Sequence, residues 1–94
     1  MASYYRLTAA PIADVLRQAE EVLTARLPLR KETEDRHSVT LTGGDGTATI
    51  TAHRHGLETE VIASTDQLRT SRLDLDVQYF MTTLPYQPGD AGPG

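Results

Sequence analysis

The sequence predicts one small α+β domain in the order α-β-β-β-α, a three-stranded antiparallel meander with two helices on one face. Three observations predict it: a helical stripe of aliphatic residues over 12–23, a threonine- and valine-rich stretch broken by two glycine turns over 36–65, and a second helical stripe that stops at Pro85.

The first stripe lies in PIADVLRQAEEVLTARL, where Ile12, Val15, Leu16, Ala19, Val22 and Leu23 recur at three- and four-residue steps. Pro11 suits a first helical turn, Asp14 suits the positive helix end, and Pro28 opposes continuation, so the helix is expected over about 11–26. Thr8 is the candidate cap, separated from Pro11 by two alanines. Residues 28–35, PLRKETED, are charged and open on a breaker, and are read as a connection.

After that the period changes to two. In RHSVTLTGGDGTATITAHRHGLETEVIAST the turns GGDG and HG divide three strands. Keeping the apolar residues on one face sets the register. With Gly44 and Asp45 at the first tip, Leu41 faces Ala48 and Val39 faces Ile50. With His55 and Gly56 at the second tip, Ile50 faces Val61 and Ala48 faces Ala63. The opposite face then carries the rows Thr40/Thr49/Ile62, Ser38/Thr51/Glu60 and Arg36/His53/Glu58.

SRLDLDVQYFMTTLP fits either period. The helical reading is preferred over 71–84, because Leu73, Val77, Phe80, Met81 and Leu84 form a stripe and Ser71 stands three residues before Asp74, as in a capping box. The domain is expected over residues 1–86, with Tyr86 packing back and 87–94 a disordered tail.

Composition narrows the functional classes. Ninety-four residues make one domain, and one Phe without Trp makes its core aliphatic and thin. With no cysteine, disulfides, thiolate metal sites and cysteine nucleophiles are excluded. The start MASYYRLTAAP lacks a signal-peptide pattern and no apolar run is long enough to span a bilayer, so a soluble, cytoplasmic protein without membrane contact is expected. A net charge of -4, with Lys31 the only lysine, argues against nucleic acid as a partner. The α-β-β-β-α order is similar to that of double-stranded-RNA-binding domains, but their second helix opens on a lysine-rich segment. Here that position reads TSRLDLD, so the similarity carries neither that function nor its sites.

The candidate chemistry is sparse. Arg36, His53 and Glu58 form one expected row beside Glu60 and Thr51, a set that could hold an anion or move a proton. A solvated charge row explains the same residues. His53 and His55 lack the further ligands that a metal needs, and His37 is read as a core-edge histidine. GGDGT leads into a strand rather than a helix, which makes it a hairpin turn and not a phosphate loop. D-L-D at 74–76 lacks the remaining ligands of a cation loop. No cofactor or metal is expected, and an enzyme is disfavoured.

The open sheet face is the other candidate. Thr40, Thr49, Thr51 and Ile62 are expected to project together away from the helices as an interface, with Arg36, His53, Glu58 and Glu60 at its rim. The resulting expectation is a protein-interaction or assembly module, homodimeric through its sheet or docking another protein. The alternative is a small-molecule-binding protein or minor enzyme using the His/Glu/Arg cluster.

Overall fold

The computed structural model describes residues 2–85, and they form five strands and two helices. In chain order these are β1 (Ala2–Thr8), α1 (Ile12–Arg26), β2 (Leu29–Glu34), β3 (Ser38–Gly43), β4 (Gly46–His55), β5 (Glu58–Thr65) and α2 (Arg72–Thr83). The strands make one sheet of order β1-β5-β4-β3-β2, antiparallel at every pairing. The fold is therefore α+β, but the expected three-stranded meander is only the centre of its sheet. The order α-β-β-β-α is corrected to β-α-β-β-β-β-α, which also removes the element order shared with double-stranded-RNA-binding domains. The expected domain limit at Tyr86 and the tail at 87–94 lie outside the described residues.

Both missed strands are sheet edges. β2 occupies the stretch read as a connection: five of its six residues, RKETE, are exposed, because an edge strand tolerates charge that a central strand does not. β1 hides its signal differently. Its covered face carries Ala2, Tyr4, Arg6 and Thr8, mostly polar residues that hydrogen-bond to α2 and to the two residues after it. Tyr4 Oη donates to Asp74 Oδ2 at 2.7 Å, Arg6 Nη2 to the Leu84 carbonyl at 2.8 Å, and Thr8 Oγ1 to the Pro85 carbonyl at 2.5 Å. No apolar alternation results.

The two helices pack on one face of the sheet and on each other. Val15, Leu16, Ala19 and Leu23 of α1 are buried, as are Leu73, Val77, Phe80 and Met81 of α2, together with Leu84 just beyond it. They meet Val39, Leu41, Ala48, Ile50, Ala52, Val61 and Ala63 from the three central strands in one cluster. Burial of this aliphatic set supplies the main stabilisation, about 1.5–3 kcal/mol for each large side chain removed from water. Ser71 caps α2 as expected, its Oγ accepting from Asp74 N at 3.0 Å. α1 begins one residue after Pro11, which stands at the N-cap without a side-chain cap. Thr8 instead braces the loop before it, accepting from Ala10 N at 3.2 Å.

The first hairpin has the expected register, with Val39 opposite Ile50 and Leu41 opposite Ala48. The second is shifted by two residues. Ile50 faces Ala63, Ala52 faces Val61, and the tip is Gly56–Leu57 rather than His55–Gly56. A two-residue shift keeps every side chain on its face, so apolar patterning alone does not distinguish the alternatives. The turn does: Gly56 has φ 68° and Leu57 does not have positive φ, the combination that places glycine first in a type II′ loop.

Gly46 is similarly constrained. At φ 123°, a Cβ there would lie 2.7 Å from Gln67 Cγ and 2.8 Å from Asp66 Oδ1. Gly46→Ala is expected to lower unfolding stability by about 1–3 kcal/mol, read from the urea midpoint. Asp66 itself ties the β5–α2 loop to this hairpin by accepting from Thr47 N at 2.9 Å. That backbone bond, then the Gln67 side chain, holds the Asp66 carboxyl below its ordinary value. Because the folded-state value is depressed, the contribution is present at neutral pH and disappears as pH falls through the ordinary carboxylate range toward the lower folded value. Asp66→Asn should therefore lower the midpoint at pH 7 and flatten its dependence on acid. An equal loss at both ends of that range would contradict this.

Candidate functional site

The face opposite the helices is built by alternation. On β4 the residues Thr47, Thr49, Thr51 and His53 point away from the core, since their neighbours Ala48, Ile50 and Ala52 are buried. In register beside them stand Thr42, Thr40 and Ser38 of β3, and Ser64, Ile62 and Glu60 of β5. β1 adds Ser3, Tyr5 and Leu7, opposite Ser64, Ile62 and Glu60. Thr40, Thr49, Thr51 and Ile62 thus lie together on the uncovered face, each half-buried by its neighbours.

Two cross-strand hydroxyl pairs order its centre: Thr40 Oγ1 lies 3.3 Å from Thr49 Oγ1, and Thr42 Oγ1 lies 2.8 Å from Thr47 Oγ1. Hydroxyls that bond each other make less demand on water, which leaves short, β-branched side chains as a level surface. Beside them Ile62 lies between Thr51 and Tyr5, and Tyr5 is 60% exposed. A shallow recess of about 360 Å³ opens where Thr47, Thr49, Ser64, Thr65 and Asp66 meet.

The charged rim differs from expectation. His53 pairs with Glu60 and not with Glu58, because the second hairpin is shifted; Glu58 is opposite His55. His53 Nε2 lies 2.7 Å from Glu60 Oε1, an ion pair whenever the imidazole is protonated. Arg36 does not join this row. It is exposed in the bend between β2 and β3, as is His37, which is therefore not a core-edge histidine. The residue that does join His53 and Glu60 is one the sequence reading missed: Tyr5 Oη donates to Glu60 Oε2 at 3.1 Å. Partial desolvation against the sheet, then the hydrogen bond and charge of Glu60 and the charge of Glu58, raise the Tyr5 phenol above its ordinary value. The signal available was the Tyr-Tyr pair in SYYRLT, typical of strands.

Glu60 is thus held between an imidazole and a phenol, Oε1 against His53 Nε2 and Oε2 accepting from Tyr5 Oη. The arrangement fixes both rings along one border of the threonine surface. Among the described residues, no cluster of three His, Asp or Glu could hold a metal ion, and no helix is long and apolar enough to cross a membrane.

A second polar centre lies on the covered side. Asp74 is fully buried, and its carboxylate accepts from Tyr4 Oη, Thr65 Oγ1 and Ser71 Oγ, each at 2.7 Å. This hub joins β1, β5 and α2, and a capping role for Asp74 accounts for only part of it. No protein-family model, curated protein or solved structure matches the chain.

Proposed function

We propose that the protein is an assembly module that self-associates by stacking the open faces of two sheets. The observation that carries this reading is the charge-poor surface around Thr40, Thr49, Thr51 and Ile62, with Tyr5 beside Ile62 and the His53/Glu60 pair at one end. Short β-branched side chains suit face-to-face sheet packing at about 10 Å separation. Five strands about 4.8 Å apart and about six residues long give a footprint near 500 Å² per partner. Twice that is about 1,000 Å², the lower bound for a specific interface, so the expected affinity is modest. Association also enlarges an otherwise thin aliphatic core.

Thr49→Arg places a long hydrated charge at the centre of this surface without touching the core. Sedimentation equilibrium should show a wild-type dimer and a mutant monomer, with circular dichroism unchanged. A wild-type monomer, or a mutant of equal affinity, removes this face as the assembly surface. At the rim, His53 and Glu60 would set orientation more than affinity.

A further inference from the structure

The two edges of the sheet are unlike. β2 carries Arg30, Lys31, Glu32 and Glu34 and a register irregularity between Lys31 and Thr33, devices that discourage another strand from pairing. β1 has neither. Its register with β5 runs unbroken from Ala2 to Thr8, and its one charged residue, Arg6, is turned to the carbonyl of Leu84. Among the described residues no strand pairs with the outer side of β1. Such an edge offers backbone donors and acceptors in the spacing an extended chain requires.

A recess of about 350 Å³ runs along residues 3–6 of β1, bounded by Met81 and Thr82 of α2 and by Arg69 in the loop before it. A strand edge beside a helix is a groove that fits an extended segment, with the backbone bonding to the strand and alternate side chains meeting the helix. Its charge selects among such segments. Among the described residues no carboxylate lines the recess, whereas Arg69 does, beside Arg6, which is engaged by the Leu84 carbonyl, in a chain whose net charge is -4. The Arg69 guanidinium is exposed and held 4.9 Å from the Tyr4 ring centroid, so it is fixed in place while still open to an anion.

We infer that this groove takes an extended peptide segment bearing acidic side chains, which adds to β1 as a sixth strand while a carboxylate meets Arg69. The site uses the edge of the sheet, and does not depend on self-association through its face.

The test is an NMR titration of the ¹⁵N-labelled full chain with a capped seven-residue peptide alternating threonine and glutamate, and with its threonine–lysine counterpart. The glutamate peptide should shift the amide resonances of Ser3, Tyr4, Tyr5 and Arg6 and slow the solvent exchange of those among them that point away from β5. The lysine peptide should bind at least about tenfold more weakly, and Arg69→Glu should reverse that preference. Thr49→Arg should bind the glutamate peptide as wild type does, whatever its oligomeric state. Unmoved β1 amides at about 1 mM glutamate peptide would overturn the proposal, as would equal binding of the two peptides. So would protection, in the free chain, of the β1 amides that point away from β5: dependence on protein concentration would assign the edge to a second copy, and independence to another segment of the same chain.

Discussion

Replacing Val77 by Asp is expected to unfold the domain. Val77 is fully buried in the stripe that α2 sets against α1 and the sheet, in one cluster with Leu73, Phe80, Val39 and Ile50. A carboxylate there loses its hydration without gaining a partner, and either remains charged or binds a proton at a large cost. A loss above about 4 kcal/mol would consume most of the stability usual for a domain of this size. Val77→Ala, which removes only two methyl groups, should stay folded with a lower urea midpoint. Circular dichroism and the dispersion of amide resonances would distinguish the two. A cooperatively folded Val77→Asp chain within about 1 kcal/mol of wild type would show that α2 does not hold this position in the core.

The second large effect is expected at Asp74. Removing its carboxylate with Asp74→Ala leaves the hydroxyls of Tyr4, Thr65 and Ser71 without the acceptor they share, two of them on different strands. Hydrogen bonds to a charged acceptor are worth about 1.5–3 kcal/mol each, and stranded buried donors add their own desolvation. The three losses are not additive, since all depend on one side chain. A total near 3 kcal/mol is expected from chemical denaturation, with Asp74→Asn losing less because it keeps one acceptor oxygen. A loss below about 1 kcal/mol would mean that water or rearrangement replaces the hub.

Asp74 also marks how far the sequence could be read. Both helices were legible because their apolar residues repeat at helical spacing, and Ser71 and Pro85 bounded the second one. The first hairpin was legible because GGDG leaves little freedom in the turn. The uncovered face of β3 and β4 followed from it, with Thr40 opposite Thr49 and Ser38 opposite Thr51, whereas Ile62 lies on that face opposite Thr51 and not, as expected, in the row of Thr49, where Ser64 stands.

What was missed depended on contacts distant in sequence. Tyr4 and Asp74 are 70 residues apart, and nothing local marks either as a partner of the other. β1 is tied down by hydrogen bonds to α2 and the chain just after it more than by an apolar stripe, and β2 is charged because it is an edge, so neither gave the expected alternation. The rim was assembled with the wrong carboxylate for a narrower reason. His55–Gly56 and Gly56–Leu57 are equally acceptable to a rule that only sorts side chains by face, and the choice between them moves His53 from Glu58 to Glu60. Tyr5 could enter the site only once β1 was known to lie beside β5.

If the open face joins two chains as proposed, isotope-filtered NOE spectroscopy on an equimolar mixture of ¹³C-labelled and unlabelled protein detects the contact itself. Intermolecular contacts are expected from the Ile62 methyl groups to threonine methyls of β4 and to the Tyr5 ring, and none to Leu73 or Val77 in the core. A monomer at NMR concentrations would contradict the proposal, as would intermolecular contacts confined to the β1 edge or to the exposed side of the helices.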